Sequence, residues 1–69
     1  MRKELMFNGA GIMAIIDNKY YIVDETWECY KGCTRDEFIE ELNKYSYTCL
    51  TSWNKQLRQD YLDLIEYCK

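Results

Sequence analysis

Residues 12 to 25 read IMAIIDNKYYIVDE. Two runs rich in Ile, Val and Tyr flank Asp17-Asn18-Lys19, and Asp and Asn tolerate the left-handed backbone that tight hairpin turns require. The stretch predicts a β-hairpin. A two-residue loop pairs even positions with odd ones, so Ile12, Ala14 and Ile16 share a face with Tyr21 and Val23. Met13 and Ile15 then share the other face with Tyr20, Ile22 and Asp24. Both faces are largely apolar, so one is expected to cover the core and the other to be partly covered or adhesive. Upstream, Lys3 to Phe7, closed by Asn8-Gly9 and Gly11, forms a candidate third antiparallel strand.

Downstream the period changes. Thr34-Arg35-Asp36-Glu37 matches a capping box, in which a Thr hydroxyl and a Glu three residues on satisfy each other's free backbone donors at a helix start. A helix over 34–45 would gather Phe38, Ile39, Leu42 and Tyr45 on one arc and Asp36, Glu37, Glu40 and Glu41 on the opposite one. Residues 46–51, SYTCLT, read as a linker or a short extended piece. Thr51 or Ser52 is expected to cap a second helix running through Tyr67. Its apolar stripe of roughly 120° would comprise Trp53, Leu57, Tyr61, Leu64, Ile65 and Cys68. The expected architecture is α+β, a small two-layer domain over residues 1–69. An antiparallel β-hairpin, or three strands, would pack against two C-terminal α-helices.

A chain of 69 residues allows one domain. It buries only about 60% of the surface that its unfolded form exposes. The 16% aromatic content is the compensation, because two Trp, two Phe and seven Tyr bury large areas at low side-chain entropy. With 48% hydrophobic and 30% charged residues, the composition is that of a folded chain. The opening MRKELMFNGAGIMAII has basic residues ahead of apolar ones, but Glu4 and Asn8 interrupt it and no small-residue cleavage site follows. Nothing approaches the roughly 18 apolar residues of a membrane span. The expectation is a cytoplasmic protein with reduced thiols and no membrane partner.

The net charge of −3 is unevenly spread. Residues 24 to 41 hold seven acids against Lys31 and Arg35, a net −5, while the remainder carries five acids and seven bases, +2. Within that acidic region lies Cys29-x3-Cys33, a spacing that zinc pairs use. The rest of a zinc site does not follow. There is no His, Cys49 and Cys68 are distant in sequence, and Cys68 falls on the apolar stripe, where a reduced thiol acts as a small hydrophobe. In an oxidising compartment the four Cys would allow three disulfide connectivities. No metal or cofactor is therefore expected, and a small Cys-ligated zinc module is a minor alternative.

Catalysis lacks its parts. Without His, a Cys or Ser nucleophile has no common base, and the acids around Cys33 oppose the helix dipole that would favour its thiolate. Paired carboxylates need a cleft that a core this small rarely supplies. The reading is of a protein that is not an enzyme. Direct nucleic-acid binding is also disfavoured, since Lys44, Lys55, Arg58 and Lys69 are scattered.

The acidic helix remains. A charge run is commonly no more than a solvated face. Asp36/Glu40 and Glu37/Glu41, however, are like-charged pairs at i,i+4, each costing about 0.2–0.5 kcal/mol, with Glu40/Lys44 the offsetting pair. Trp27 and Tyr30, set among the acids, are residue types that interface anchors favour. The expected partner-binding residues are Glu25, Trp27, Glu28, Tyr30, Asp36, Glu37, Glu40 and Glu41. They describe a non-catalytic, acidic protein-interaction module that docks on the basic surface of a nucleic-acid-binding protein. Phage- and mobile-element-encoded inhibitors of nucleases, repair enzymes and CRISPR effectors use that strategy of nucleic-acid mimicry. The alternative is a homo-oligomeric structural or accessory protein, such as a homodimer joined by its β-edge.

Overall fold

The computed structural model describes every residue except Asn8, Glu25, Trp27 and Glu28. The chain is an α+β domain in two layers: a four-stranded antiparallel meander and a layer of helices. The strands are β1 (Arg2–Phe7), β2 (Ala10–Ile16), β3 (Lys19–Asp24) and β4 (Cys29–Cys33), paired in chain order. The helices are α1 (Arg35–Lys44), α2 (Ser46–Leu50) and α3 (Lys55–Tyr67).

The β2–β3 hairpin forms as the turn chemistry requires. Asp17 and Asn18 take φ of 49° and 67°, the paired left-handed conformation of a two-residue loop. Ile16 therefore faces Lys19, Ile15 faces Tyr20, and Met13 faces Ile22. Met13 and Ile15 are fully buried beneath the helices with Leu5, and Tyr20 and Ile22 pack against that core. At the other end Gly9, with φ 83°, lies between β1 and β2. Only a residue without a side chain adopts that backbone at low cost.

The structure differs from the expected alternation at Ile12. Leu5 pairs with Met13 but Met6 pairs with Gly11, so β2 carries one extra residue and the ladder bulges. The bulge turns Ile12 against the core, not onto the face of Ala14 and Ile16. β4 is a further strand, beyond the two or three expected. It is short, holds Lys31 and Gly32, and forms an edge whose ladder bonds come from β3.

α1 starts as its capping box dictates. Thr34 Oγ accepts the Glu37 amide at 3.1 Å, and the Glu37 carboxylate accepts the Thr34 amide at 3.0 Å. Phe38 and Leu42 point into the core. Residues 46–50 are one helical turn, not an extended piece, and they bury Cys49. The second long helix begins later than expected, because the Asn54 side chain, not Thr51 or Ser52, accepts the amides of Gln56 and Leu57. Leu57, Tyr61, Leu64 and Cys68 face inward as predicted, whereas Trp53 lies outside the helix at 91% exposure.

α3 lies against β1 and α1 against β3. A line of rings ties the layers together: Tyr20 stands 5.2 Å from Phe38 and 6.5 Å from Tyr67, centroid to centroid. The Tyr67 hydroxyl also donates to Asn18 Oδ1 at 2.5 Å, fastening the hairpin turn to the end of α3. The Arg35 guanidinium donates to the Cys68 carbonyl, which joins the start of α1 to the C-terminus of α3 and places a cation at its negative pole.

The other sheet face carries no helix and is closed by its own side chains. Ala14 is fully buried there, flanked in register by Glu4 and Tyr21. Tyr30 reaches from β4 across the sheet, donates to Glu4 Oε1 on β1 at 3.4 Å, and stands 6.4 Å from the Tyr21 ring. A Cβ on Gly11 would collide with the Tyr30 hydroxyl, so the glycine makes room for the ring. Gly11→Ala should therefore destabilise the fold by about 1–3 kcal/mol in chemical denaturation. In a Tyr30→Ala background that cost should largely vanish, and an equal cost in both backgrounds would contradict the ring-over-glycine contact.

Candidate docking face

α1 displays the acids outward through its helical period. Asp36, Glu37 and Glu40 are exposed, opposite the buried Phe38 and Leu42. Asp36 and Glu40 have no ion-pair partner among the described residues. Glu37 has a local role as well, since the Thr34 amide and hydroxyl hold its carboxyl below the usual carboxylate range. Glu41 is less available: its side chain is 29% exposed and pairs with Lys44 at 3.2 Å. Lys44 thus neutralises Glu41, not the Glu40 that i,i+4 spacing suggested.

The five described residues among the eight expected contacts do not form one surface. Asp36, Glu37, Glu40 and Glu41 share α1. Tyr30 is paired with Val23, on the sheet face away from the helices, where it covers Gly11. Burial pushes its phenol up, and the charge and hydrogen bond of Glu4 add to the effect. It acts as a covering ring and cannot anchor a partner held by α1. Glu25, Trp27 and Glu28 lie outside the described residues.

β4 also changes the reading of the cysteines. Cys29 and Cys33 stand four positions apart on an extended strand, about 13 Å at the usual rise, too far to share a zinc ion or a disulfide. Among the described residues, no three His, Cys, Asp or Glu side chains gather as ligands. All four cysteines are free thiols. Burial pushes the Cys33 thiol up, reinforced by Glu37 and Glu41. Burial raises Cys49, and it raises Cys68 against a smaller opposing pull from Arg35. The acids therefore disfavour a Cys33 thiolate at the helix start. No helix among the described residues is long and apolar enough to cross a membrane.

Sequence reasoning placed Trp53 in the core, and the structure instead exposes it, as it does Tyr47 (79% exposed) and Leu50 of α2. The missed signal is Asn54 followed by Lys55-Gln56-Leu57: an Asn cap there starts the helix two residues beyond the Trp. Comparison of the chain with protein-family models, curated proteins and solved structures finds no match.

Thiol labelling of the native protein at neutral pH should modify Cys29 first, since it is the exposed cysteine, then the half-buried Cys33 more slowly, with the buried Cys49 and Cys68 reacting only on unfolding. Labelling of Cys33 as fast as Cys29 would contradict the shielding assigned to it.

Proposed function

We propose that the protein is a non-catalytic interaction module. The outward side of α1, centred on Asp36, Glu37 and Glu40, docks on a basic, nucleic-acid-binding surface of a partner protein. The observation that carries this reading is the pair Asp36 and Glu40, one helical turn apart, exposed and with no ion-pair partner among the described residues. Two like charges so placed weaken the helix slightly. An oppositely charged surface would turn that cost into attraction and steer association. The face is held in place by the capping box and by Phe38 and Leu42 beneath it, so it would meet a partner without reorganising. Blocking the partner's phosphate-binding surface makes the module an inhibitor by mimicry.

Self-association through a strand edge is less well supported. β4 is short and carries Lys31, while β1 runs beside the bulge in β2 and bears Arg2, Lys3 and Glu4, the devices that discourage edge pairing. A zinc-stabilised module is disfavoured by the extended spacing of Cys29 and Cys33.

Capture from the native cell on immobilised protein should retain a basic partner that weakens by about tenfold or more between ~0.05 and ~0.5 M salt. The doubly reversed variant Asp36→Lys/Glu40→Lys should retain none of it while melting within a few degrees of the parent. A partner held equally at high salt and by the reversed variant would overturn the electrostatic mechanism.

A further inference from the structure

A second surface, opposite in charge to α1, lies on the β1 side of the helix layer. Trp53, Tyr47 and Leu50 are exposed around the α2–α3 corner. Beside Trp53 runs a groove lined by Met6, Phe7, Thr48, Asn54 and the nearly buried Leu57. The corner is held in shape by hydrogen bonds: Ser52 Oγ accepts the Asn54 amide at 3.0 Å, and the Thr51 hydroxyl donates to the Tyr47 carbonyl at 2.7 Å. The Arg58 guanidinium donates to the Ser52 carbonyl, next to Trp53 in the chain, and Lys55 is exposed on the first turn of α3. Neither residues 42 to 59 nor residues 5 to 16 contain any Asp or Glu. The groove thus sets the apolar side chains of Met6, Phe7, Trp53 and Leu57 beside the polar Thr48, Ser52 and Asn54. The cations lie next to that polar edge, Arg58 at the Ser52 carbonyl and Lys55 following Asn54 in the chain.

We propose that this corner binds a partner protein's segment in which an apolar side chain is flanked by Asp or Glu. The apolar side chain would enter the groove against Trp53, and its acidic neighbours would meet Lys55 and Arg58. The inference goes beyond the α1 reading and does not depend on it. Charge selects this occupant over two others. A second copy bringing the same corner face to face would set Lys55 and Arg58 against their own counterparts, a repulsive isologous contact. A nucleic-acid strand would find aromatic rings but few cations, and it would be repelled by a chain of net charge −3. A short acidic segment suffers far less repulsion, and Trp53 supplies the kind of aromatic packing that interface centres use.

The test is selection of a random-sequence peptide library, displayed on phage, against the intact protein. Chosen peptides are then synthesised and titrated by calorimetry, and the emission of Trp53 is followed separately in a Trp27→Phe background. The expected consensus is an apolar residue with acids on either side. Trp53→Ala should weaken binding by about tenfold or more. Lys55→Glu, which leaves the Arg58 bond to the Ser52 carbonyl in place, should weaken the preference for acids, with both variants melting close to the parent. Four results would overturn the proposal: no enriched consensus, a consensus without acids, binding unchanged by Trp53→Ala, or oligothymidylate shifting Trp53 emission more strongly than the peptides. A Trp53 shift that grows with protein concentration alone would also overturn it, in favour of self-association.

Discussion

The register between β2 and β3 is the constraint on which the rest of the molecule rests. Two consecutive residues in the left-handed region, Asp17 and Asn18, leave the hairpin one way to close. That closure sends Met13, Ile15, Tyr20 and Ile22 toward the helices and Ala14, Tyr21 and Val23 away from them. A slip of one residue would exchange the two sets, because side chains alternate along a strand. Tyr20 would then leave Phe38 and Tyr67, and the ring line joining both long helices to the sheet would be lost. The bond from Tyr67 to Asn18 draws the same turn onto α3, so turn geometry and helix docking support one another.

A sheet covered by helices on one side only leaves its second face to be closed by other means. Here the aromatic content of a small chain becomes useful. Tyr21 and Tyr30 spread over Gly11 and Ala14, and Glu4 accepts the Tyr30 hydroxyl, so the half-covered face acquires a lid from within the sheet. Small residues below and large rings above are the complementary halves of one contact. The helix layer, freed from covering both faces, is divided between α1 on the β3 side and α3 on the β1 side. The exposed charge follows the same division, with Asp36 and Glu40 of α1 unpaired among the described residues and a Trp-bearing corner beside β1 whose segments 5–16 and 42–59 contain no acid.

What could be read from sequence was what local chemistry decides. The hairpin, the Thr34 capping box and the outward arc of Asp36, Glu37 and Glu40 each depend on neighbours within a few residues, and each stands as expected. Features set by distant partners were not legible. β4 is a strand because β3 offers it ladder bonds, and CYKGC by itself carries little strand signal. Tyr30 was grouped with the acids by proximity in sequence, and only the β3–β4 pairing sends it to the opposite face. Ile12 changed sides through a bulge that alternation cannot anticipate. Trp53 looked like core because its spacing fits the stripe of α3, yet the Asn54 cap starts that helix just beyond it.

The register is therefore the quantity to measure. Antiparallel pairs bring α-protons closest at non-hydrogen-bonded positions. In this hairpin those positions, alternating from the Ile16–Lys19 closure, are Ile15 with Tyr20 and Met13 with Ile22. Nuclear Overhauser spectra of the labelled protein should show strong α-proton contacts at those two pairs, together with ring contacts from Tyr20 to Phe38. Strong α-proton contacts of Ile15 with Tyr21, or of Ala14 with Tyr20, would mean a hairpin slipped by one residue and would contradict the assignment of both sheet faces.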